Sequence, residues 1–457
     1  MLHQFEQNGY NIALDSASGA VHVLSPLAAS VLRQMASLPL PPSKQPPEGY
    51  SEEKAECWDD LYSLYEDGTL FSDDIDMENA SYASGLIKSM CLHVSHDCNM
   101  RCRYCFAGTG DFHRGRQLMD LETGKKAIDF LLKESGPIKN LELDFFGGEP
   151  LLNFDVVKEL VRYGREKEAP LGKNIRFTIT TNGALLDDDS IAFINEHMYN
   201  AVLSVDGRRE VNDLNRPFED GSGSYDTIIP KFKRLVKDRN ADWYVRGTYT
   251  RDNLDFAEDV LSLNDEGFDQ ISVEPVVLPE DNPMALREED LPVIEAEYER
   301  LAKEMIERYR EGRPFTFFHF MIDLDAGPCV YKRLKGCGCG AEYVAVTPGG
   351  DIYPCHQFVE YPEYKMGNVN EGKVDRAAQR KFMRCAITRN SECKLCWAKY
   401  FCGGGCPANN YGFNRDIEKP YKLGCDIERK RVECALMIKA AEAEIDEERE
   451  NSLIAGI

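Results

Sequence analysis

The sequence has no run of about 18 apolar residues, and its opening, Met1 to Tyr10, lacks the basic and apolar regions of a secretory signal. These absences argue against a membrane-spanning segment and lead us to expect a cytoplasmic protein. Positive charge is also in short supply: 54 Lys and Arg stand against 78 Asp and Glu, a formal net charge of -24. A chain of that sign repels polyanions, so neither nucleic acid nor an anionic membrane is an expected partner. Part of the acid lies in helical stretches, residues 295–311 and 442–450, where a solvated helix face accounts for it.

Cysteine, by contrast, is abundant, with 16 in 457 residues. In a reducing cytosol these are better read as metal ligands than as disulfides, and their crowding between Cys329 and Cys434 supports that reading. Cys98, Cys102 and Cys105 are spaced CX3CX2C, and random placement would give about 0.02 such triplets. Three thiolates bind three irons of a 4Fe-4S cube and leave the fourth open to another ligand. A zinc loop or a disulfide pair is the alternative. Zinc closes with a fourth ligand nearby, and because the next cysteine is Cys329, that alternative depends on His93, His96 or His113.

With 43% hydrophobic residues and this length, two or three domains are expected. The first is a small module over residues 1–85. Apolar runs at 11–14 and 21–24 flank a turn-prone segment and predict a hairpin. Ser25 and Pro26 open a helix through Leu27, Val31, Leu32 and Met35, a proline-rich loop follows, and residues 54–66 form a second helix. Such a module offers an open strand edge to an extended peptide, and a plain capping subdomain fits the pattern equally well. Residues 86–315 alternate strands at 90–95, 141–146, 175–180, 201–205, 243–250 and 271–276 with helices at 121–134, 155–166, 188–196, 225–238, 254–264 and 291–309. Six βα units imply a parallel α/β sheet, curved into a partial barrel or left open, whose functional loops follow the strand ends. The cysteine triplet follows the first strand. Residues 316–457 are irregular, glycine-rich and cysteine-dense, and end in a helix over 427–447; metal clusters would make up for their small apolar core.

Gly147-Gly148-Glu149-Pro150 ends the second strand, where glycines admit a ligand to the backbone and a carboxylate can accept from an amino group. Taken with Cys98, Cys102 and Cys105, this turn closely resembles the radical S-adenosylmethionine enzymes. The resemblance implies that the open iron is chelated by S-adenosylmethionine and that one electron cleaves it to a 5'-deoxyadenosyl radical. It also implies that Gly147, Gly148 and Glu149 hold the methionine amino group and that Tyr104 packs near the adenine, although a core aromatic is the plainer reading of Tyr104. Asn182, Ser204 and Asp206, at the ends of the third and fourth strands, sit where a ribose can be held, and the family likeness supports Ser204 there. Asn-Gly and Asp-Gly turns need no ligand to explain them. Arg246 on the fifth strand is placed to reach the methionine carboxylate or to form a structural ion pair. Glu274, which closes the sixth strand, stays unassigned.

The later cysteines form a second pattern. Gly350 and Cys355 are spaced GX4C after Cys337, and Cys393, Cys396, Cys402 and Cys406 read CX2CX5CX3C, with Cys425 beyond. This resembles the SPASM extension, which implies two auxiliary 4Fe-4S clusters and three clusters in all. A pair of zinc ribbons is the alternative. By the resemblance one auxiliary cluster takes Cys393, Cys396, Cys402 and Cys425; the other takes Cys337, Cys355 and Cys406, with Cys329, Cys339 or a substrate thiolate as the fourth ligand. Gly403, Gly404 and Gly405 suit backbone amides close to sulfur. Cys57, Cys91, Cys385 and Cys434 fall outside the pattern and are expected in the core.

The opening Met1-Leu2-His3-Gln4-Phe5, the hairpin module, residues 342–348 and Tyr353-Pro354-Cys355-His356-Gln357-Phe358 are similar to the SCIFF peptide maturases. That likeness implies a partial (β/α)6 radical S-adenosylmethionine barrel between a winged-helix-like peptide-recognition module and a SPASM domain. It further implies a cysteine-rich precursor peptide as substrate, a thioether from a cysteine sulfur to an acceptor α-carbon, and an electron donor such as flavodoxin or ferredoxin. Formylglycine formation in a sulfatase and a non-catalytic iron-sulfur electron carrier are the rival readings.

Overall fold

The computed structural model describes residues 1–74, 84–324, 334 and 336–455, so Cys329 lies outside the described residues. Strands β1 (Leu2–Gln7), β2 (Tyr10–Asp15) and β3 (Val21–Leu24) form an antiparallel sheet in that order. The expected hairpin is β2 with β3, Leu14 facing Val21; β1 is an additional strand, paired from Leu2 opposite Asp15 to Gln7 opposite Tyr10. One carboxylate oxygen of Asp15 accepts from the Ala17 and Ser18 N–H groups, both at 3.0 Å, which fixes the turn. Ser25 caps α1 (Pro26–Ala36) by accepting from the Ala28 N–H at 3.1 Å, and Pro26 stands where no N–H partner is needed. Helix α2 (Glu52–Glu66) buries Trp58 and Leu61 against Val31, Leu32 and Met35 of α1.

The six expected parallel strands are all present: β4 (Ser89–His96), with the short antiparallel β5 (Gln117–Leu118) beside it, then β6 (Asn140–Gly147), β7 (Asn174–Thr181), β8 (Asn200–Ser204), β9 (Asp242–Tyr249) and β10 (Gln270–Pro275). Each pairs with the next in parallel register. The expected helices are α3 (Leu121–Glu134), α4 (Phe154–Glu168) and α5 (Asp188–His197), then, after the unanticipated short α6 (Arg209–Asn215), α7 (Tyr225–Lys237), α8 (Phe256–Asp265) and α9 (Leu291–Arg310). Side chains alternate across a strand. Phe145, Phe177, Ile179, Val245 and Val273 are buried in the main core, while Asp144, Thr180, Ser204, Arg246, Thr248 and Glu274 stand in the other phase. The barrel interior is therefore polar.

The cysteine-rich region does not form a separate layer. After β11 (Thr316–Phe317), which pairs with β10, strand β12 (Tyr343–Val346) joins the far side of β4 in parallel, with Ala345 opposite Cys91. Strands β13 (Asp351–Tyr353), β14 (Gly367–Asn368) and β15 (Lys373–Val374) extend the sheet antiparallel. One 12-stranded sheet results, and among the described residues its ends do not pair, so the barrel stays open. The final helix, Lys422–Ala455, runs beyond both expected ends. It carries the N-terminal module: Leu14 packs on Val432 and Leu436, Gln7 Nε2 donates to the Cys434 sulfur at 3.2 Å, and His3 Nε2 lies 2.9 Å from the Glu433 carboxylate; outside the helix, the His3 ring stacks on Trp397 at 3.6 Å. No helix among the described residues is long and apolar enough to cross a membrane.

Candidate active site

The strand ends open on one cavity of about 200 Å³, lined by Cys98, Cys102, Cys105, Tyr104, Gly147, Gly148, Asn182, Ser204 and Arg246. Nine of the eleven residues expected there are thus brought together. The cysteine loop leaves β4 and is sewn to the glycine turn at the end of β6: Gly148 N–H donates to Ser95 O, and Glu149 N–H to Asp97 O, each at 2.8 Å. Only glycine fits this approach. A Cβ on Gly147, which has φ +134, would fall 2.0 Å from Ser95 O, and one on Gly148 would fall 2.2 Å from Asp97 O.

The two remaining residues have different parts from those expected. Glu149 is fully buried, and its carboxylate accepts from Leu151 N–H at 3.0 Å, the Thr181 hydroxyl at 2.7 Å and Asn182 N–H at 2.8 Å. It ties β6 to β7 from beneath, and its side chain does not line the cavity, whereas Gly147 and Gly148 do. Asp206 is likewise fully buried; it accepts from the Tyr104 hydroxyl at 2.7 Å and from Thr248 N–H at 3.1 Å. Its oxygens serve Tyr104 and β9, and its side chain does not line the cavity. Tyr104 therefore presents its ring to the cavity while its hydroxyl is held from behind. Asn182 Nδ2 donates to Asn99 at 2.8 Å and lies 3.7 Å from the Cys98 sulfur, so it braces the cysteine loop. Arg246 forms the ion pair, Nη2 to Glu274 at 2.7 Å, but both side chains remain 38% exposed toward the cavity.

Sequence reasoning missed Arg216. Its guanidinium donates to the Tyr104 hydroxyl at 2.8 Å and lies 3.7 Å from Asp206. Residues just before and after it accept from the cysteine loop, Arg103 N–H to Asn215 O at 2.9 Å and Arg101 N–H to Pro217 O at 2.8 Å. Nothing in the local sequence marks it. Thr180, Thr248 and Glu274 also line the cavity, and strand alternation is the signal that finds them. His356 and Gln357 line it from the cysteine-rich region.

Electrostatics follow from enclosure. Burial and the neighbouring Glu149 charge push the Cys98 thiol up to about 12, and burial takes Cys102 to about 11 against the pull of Arg216. A metal held by these thiols would have to displace their protons. Burial works against the Arg216 charge, but Tyr104, Cys102 and Asp206 outweigh it. Glu274 stays at about 2 because Arg246 overcomes the effect of burial. Asp144, on the polar face, is pushed up to about 7 by burial, which the Thr180 hydrogen bond and Arg246 only partly oppose. A raised carboxyl binds a proton in the folded chain that the unfolded chain has lost, so it lowers stability as pH rises from about 4 to 7. Asp144→Asn should accordingly show a stability gain that is small at pH 5 and grows toward pH 8, read from urea unfolding of both proteins at each pH.

The later cysteines gather in two groups. Cys393 lies near Cys396 and Cys402, and Cys425 near Cys393 and Cys396; the N–H groups of Gly404 and Gly405 point to the Cys402 sulfur. Cys406 lies near Cys337 and Cys355, and Cys339 is with them. Among the described residues no disulfide forms, and no three His, Cys, Asp or Glu side chains converge on a site for one ion. A cubane presents a separate iron to each thiolate, so spread thiols suit it. Cys91 and Cys434 are buried in the core as expected, while Cys57 and Cys385 are partly exposed.

Two family models match: a 4Fe-4S single cluster domain over residues 85–230 and the SPASM iron-sulfur cluster-binding domain over residues 337–398. The chain is a radical S-adenosylmethionine protein with a SPASM domain. This radical S-adenosylmethionine protein is 33% identical over 176 residues to an uncharacterized protein of Methanocaldococcus jannaschii, a match covering 38% of the chain and 57% of that relative's length. It is 24% identical over 332 residues to a cysteine-type anaerobic sulfatase-maturating enzyme of Clostridium novyi, covering 69% and 86% of the two chains. Its fold matches native anSMEcpe with bound AdoMet at a TM-score of 0.63 and 19% identity, covering 77% of this chain and 99% of that one. It matches Streptococcus suis SuiB bound to precursor peptide SuiA at 0.54 and 17% identity, covering 93% and 98%. At these identities the two structures speak for the fold.

Proposed function

We propose that this protein matures a cysteine-rich ribosomal precursor peptide by joining a cysteine sulfur to the α-carbon of an acceptor residue. The observation that carries this reading is the shared cavity: Cys98, Cys102 and Cys105 line one part of it, and His356 and Gln357, which directly follow Cys355, line another. A peptide entering it lies between two groups of cysteines. In this reading Cys98, Cys102 and Cys105 hold the cluster that binds S-adenosylmethionine, Cys393, Cys396, Cys402 and Cys425 hold one auxiliary cluster, and Cys337, Cys355 and Cys406 belong to the other. When bound, the first cluster and S-adenosylmethionine supply a one-electron cleavage that yields a hydrogen-abstracting fragment. The chain itself positions: the Gly147-Gly148 backbone faces an amino group, Ser204 and the Tyr104 ring line the place for the nucleoside, and Arg246 with Glu274 presents paired charges. The net change in the peptide is one C–S bond in place of one C–H and one S–H bond; one hydrogen atom would leave on the S-adenosylmethionine fragment, the thiol proton would go to solvent, and the remaining electron would pass to an auxiliary cluster.

The open edge of β3, where Val23 is exposed, suits a leader segment added as a further strand. SuiB, a neighbour in fold, is described with a precursor peptide bound, which supports a peptide substrate. A cytoplasmic location and a flavodoxin or ferredoxin as donor belong to the same reading. Formylglycine formation is the second reading, favoured by the sulfatase-maturating relative.

Anaerobic incubation with a candidate cysteine-rich precursor peptide, followed by alkylation and mass spectrometry, separates the two. Loss of two hydrogens and one alkylatable thiol per crosslink, with sulfur retained, is the expected result. Loss of sulfur from the reacting cysteine rejects the thioether.

A further inference from the structure

We propose that the face formed by the helix Arg376–Met383 and the loop from Arg389 to Cys396 is a docking surface for a small acidic electron-carrier protein. This rests on the reading above, in which Cys393 and Cys396 help to hold an auxiliary cluster, and deepens it by giving the carrier a place on the chain. The whole chain has a net charge of -24, yet residues 376–394 hold six Lys and Arg against the single acid Glu392, a local net charge of +5. Arg376, Arg380 and Arg384 recur every fourth residue along the helix and its C-cap, turned away from the buried Gln379 and Phe382. Arg376 is held by Glu134. Arg380, Arg384 and Arg389 are exposed and form no ion pair among the described residues. At cellular ionic strength the Debye length is about 8 Å, so a partner at this face responds to these guanidiniums and not to distant acids. An acidic partner complements them; a neutral or basic one leaves them unpaired.

The same face leads to sulfur. A cleft of about 30 Å³ is lined by Cys385, Arg389, Asn390 and Cys393 on one side and by Gly404 and Gly405 on the other. Asn390 fixes the loop: its Oδ1 accepts from Glu392 N–H at 2.9 Å and Cys393 N–H at 3.1 Å, and its Nδ2 donates to Glu418 O at 3.0 Å. Cys393 and Cys396 are partly exposed. Between them Leu395 is 77% exposed, more than any other large apolar side chain among the described residues. A leucine that fills no core, beside unpaired arginines, combines apolar contact with a charged rim, as protein interfaces do. Electron-carrier encounters need only a small interface. Electron transfer weakens steeply with distance, and a carrier seated on Leu395 lies against the loop that carries two of the thiols. The peptide reaction leaves one electron behind per crosslink. An oxidised carrier docked here would accept it, so that the cluster is oxidised and the carrier reduced by one electron, with no atom transferred.

The test uses the full, reconstituted chain under anaerobic conditions and an oxidised acidic flavodoxin, with binding read by calorimetric titration. The parent is expected to bind, with an affinity that falls at least about tenfold between about 50 and about 300 mM salt. Arg380→Glu, Arg384→Glu and Arg389→Glu together are expected to raise Kd at least about tenfold. Lys133→Glu, Lys167→Glu and Lys237→Glu, at exposed positions of the barrel helices, change the net charge equally and are expected to raise it less than about threefold. Leu395→Asp removes no buried contact, so it keeps the test valid where the triple variant does not fold, and it is expected to weaken binding at least about threefold. Cleavage of S-adenosylmethionine driven by dithionite, which needs no docking, is expected to be equal in the parent and the arginine variant. Failure of the parent to bind overturns the proposal. So does equal weakening by the arginine and lysine variants, or parent affinity in Leu395→Asp. A protein that binds flavodoxin in this way but forms no thioether rejects the peptide reaction and leaves the docking surface standing.

Discussion

Cys98→Ala is expected to reduce 5'-deoxyadenosine formation from S-adenosylmethionine to the level seen without protein, a loss of at least about a thousandfold. About eight of about twelve irons should stay bound. The size of the effect follows from how Cys98 is held. Gly110 packs so close that an added Cβ would lie 2.5 Å from the Cys98 Cβ, Met100 N–H points to the sulfur at 3.5 Å, and Asn182 reaches it at 3.7 Å. No nearby thiol is placed to substitute, since Cys91 is fully buried in the core of β4. Chromatography of the nucleoside products and an iron assay on the same sample check both halves. Cleavage surviving above about a tenth of the parent rate, or complete loss of iron, would be inconsistent with separate cluster domains.

Arg216→Ala is expected to destabilise the protein by about 3–5 kcal/mol, the usual consequence of removing one partner from a buried charged pair. Arg216 has an 11% exposed side chain and faces the fully buried Asp206 at 3.7 Å. Burial pushes the Asp206 carboxyl up to about 6 even with Arg216 and the Tyr104 hydrogen bond pulling it down. Without the guanidinium nothing offsets that burial except Tyr104 and Thr248, and the Tyr104 hydroxyl loses its own donor. The sign of the pH dependence follows. A carboxyl whose folded pKa lies above its unfolded value lowers stability as pH rises between the two, so the deficit of Arg216→Ala should be larger at pH 8 than at pH 6. Asp206→Asn added to Arg216→Ala should recover part of the loss, because it removes the uncompensated charge. Urea unfolding of the single and double variants at both pH values measures this. A deficit below about 1 kcal/mol would show that the pair carries no structural weight.

The βα rhythm was readable because strands and helices of the barrel have a local cause. Alternating apolar residues such as Leu141, Leu143 and Phe145 define β6, and α3 begins where Asp120 accepts from Thr123 N–H. The cysteine spacings were equally plain. What local sequence left open was whether a polar residue at a strand end faces the cavity or the protein. Glu149 and Asp206 are buried and spend their oxygens on Asn182, Thr181, Tyr104 and Thr248, whereas Thr180, Thr248 and Glu274 line the cavity because they share the phase of Arg246 along the sheet.

The sequence by itself determined the chemistry available to this protein: three closely spaced cysteines, a glycine turn that only glycine can make, and a later run of thiols. These are set by short-range spacing and side-chain type, which do not depend on the rest of the chain. Tertiary structure alone decided which groups meet. Parallel pairing of β12 with β4 joins the cysteine-rich region to the barrel sheet, His356 and Gln357 enter the cavity from across that seam, and Arg216 comes in from an irregular segment to hold Tyr104. Each of these is a contact between residues tens to hundreds of positions apart or on opposite sides of a turn, and such contacts are fixed by sheet register and burial rather than by local sequence.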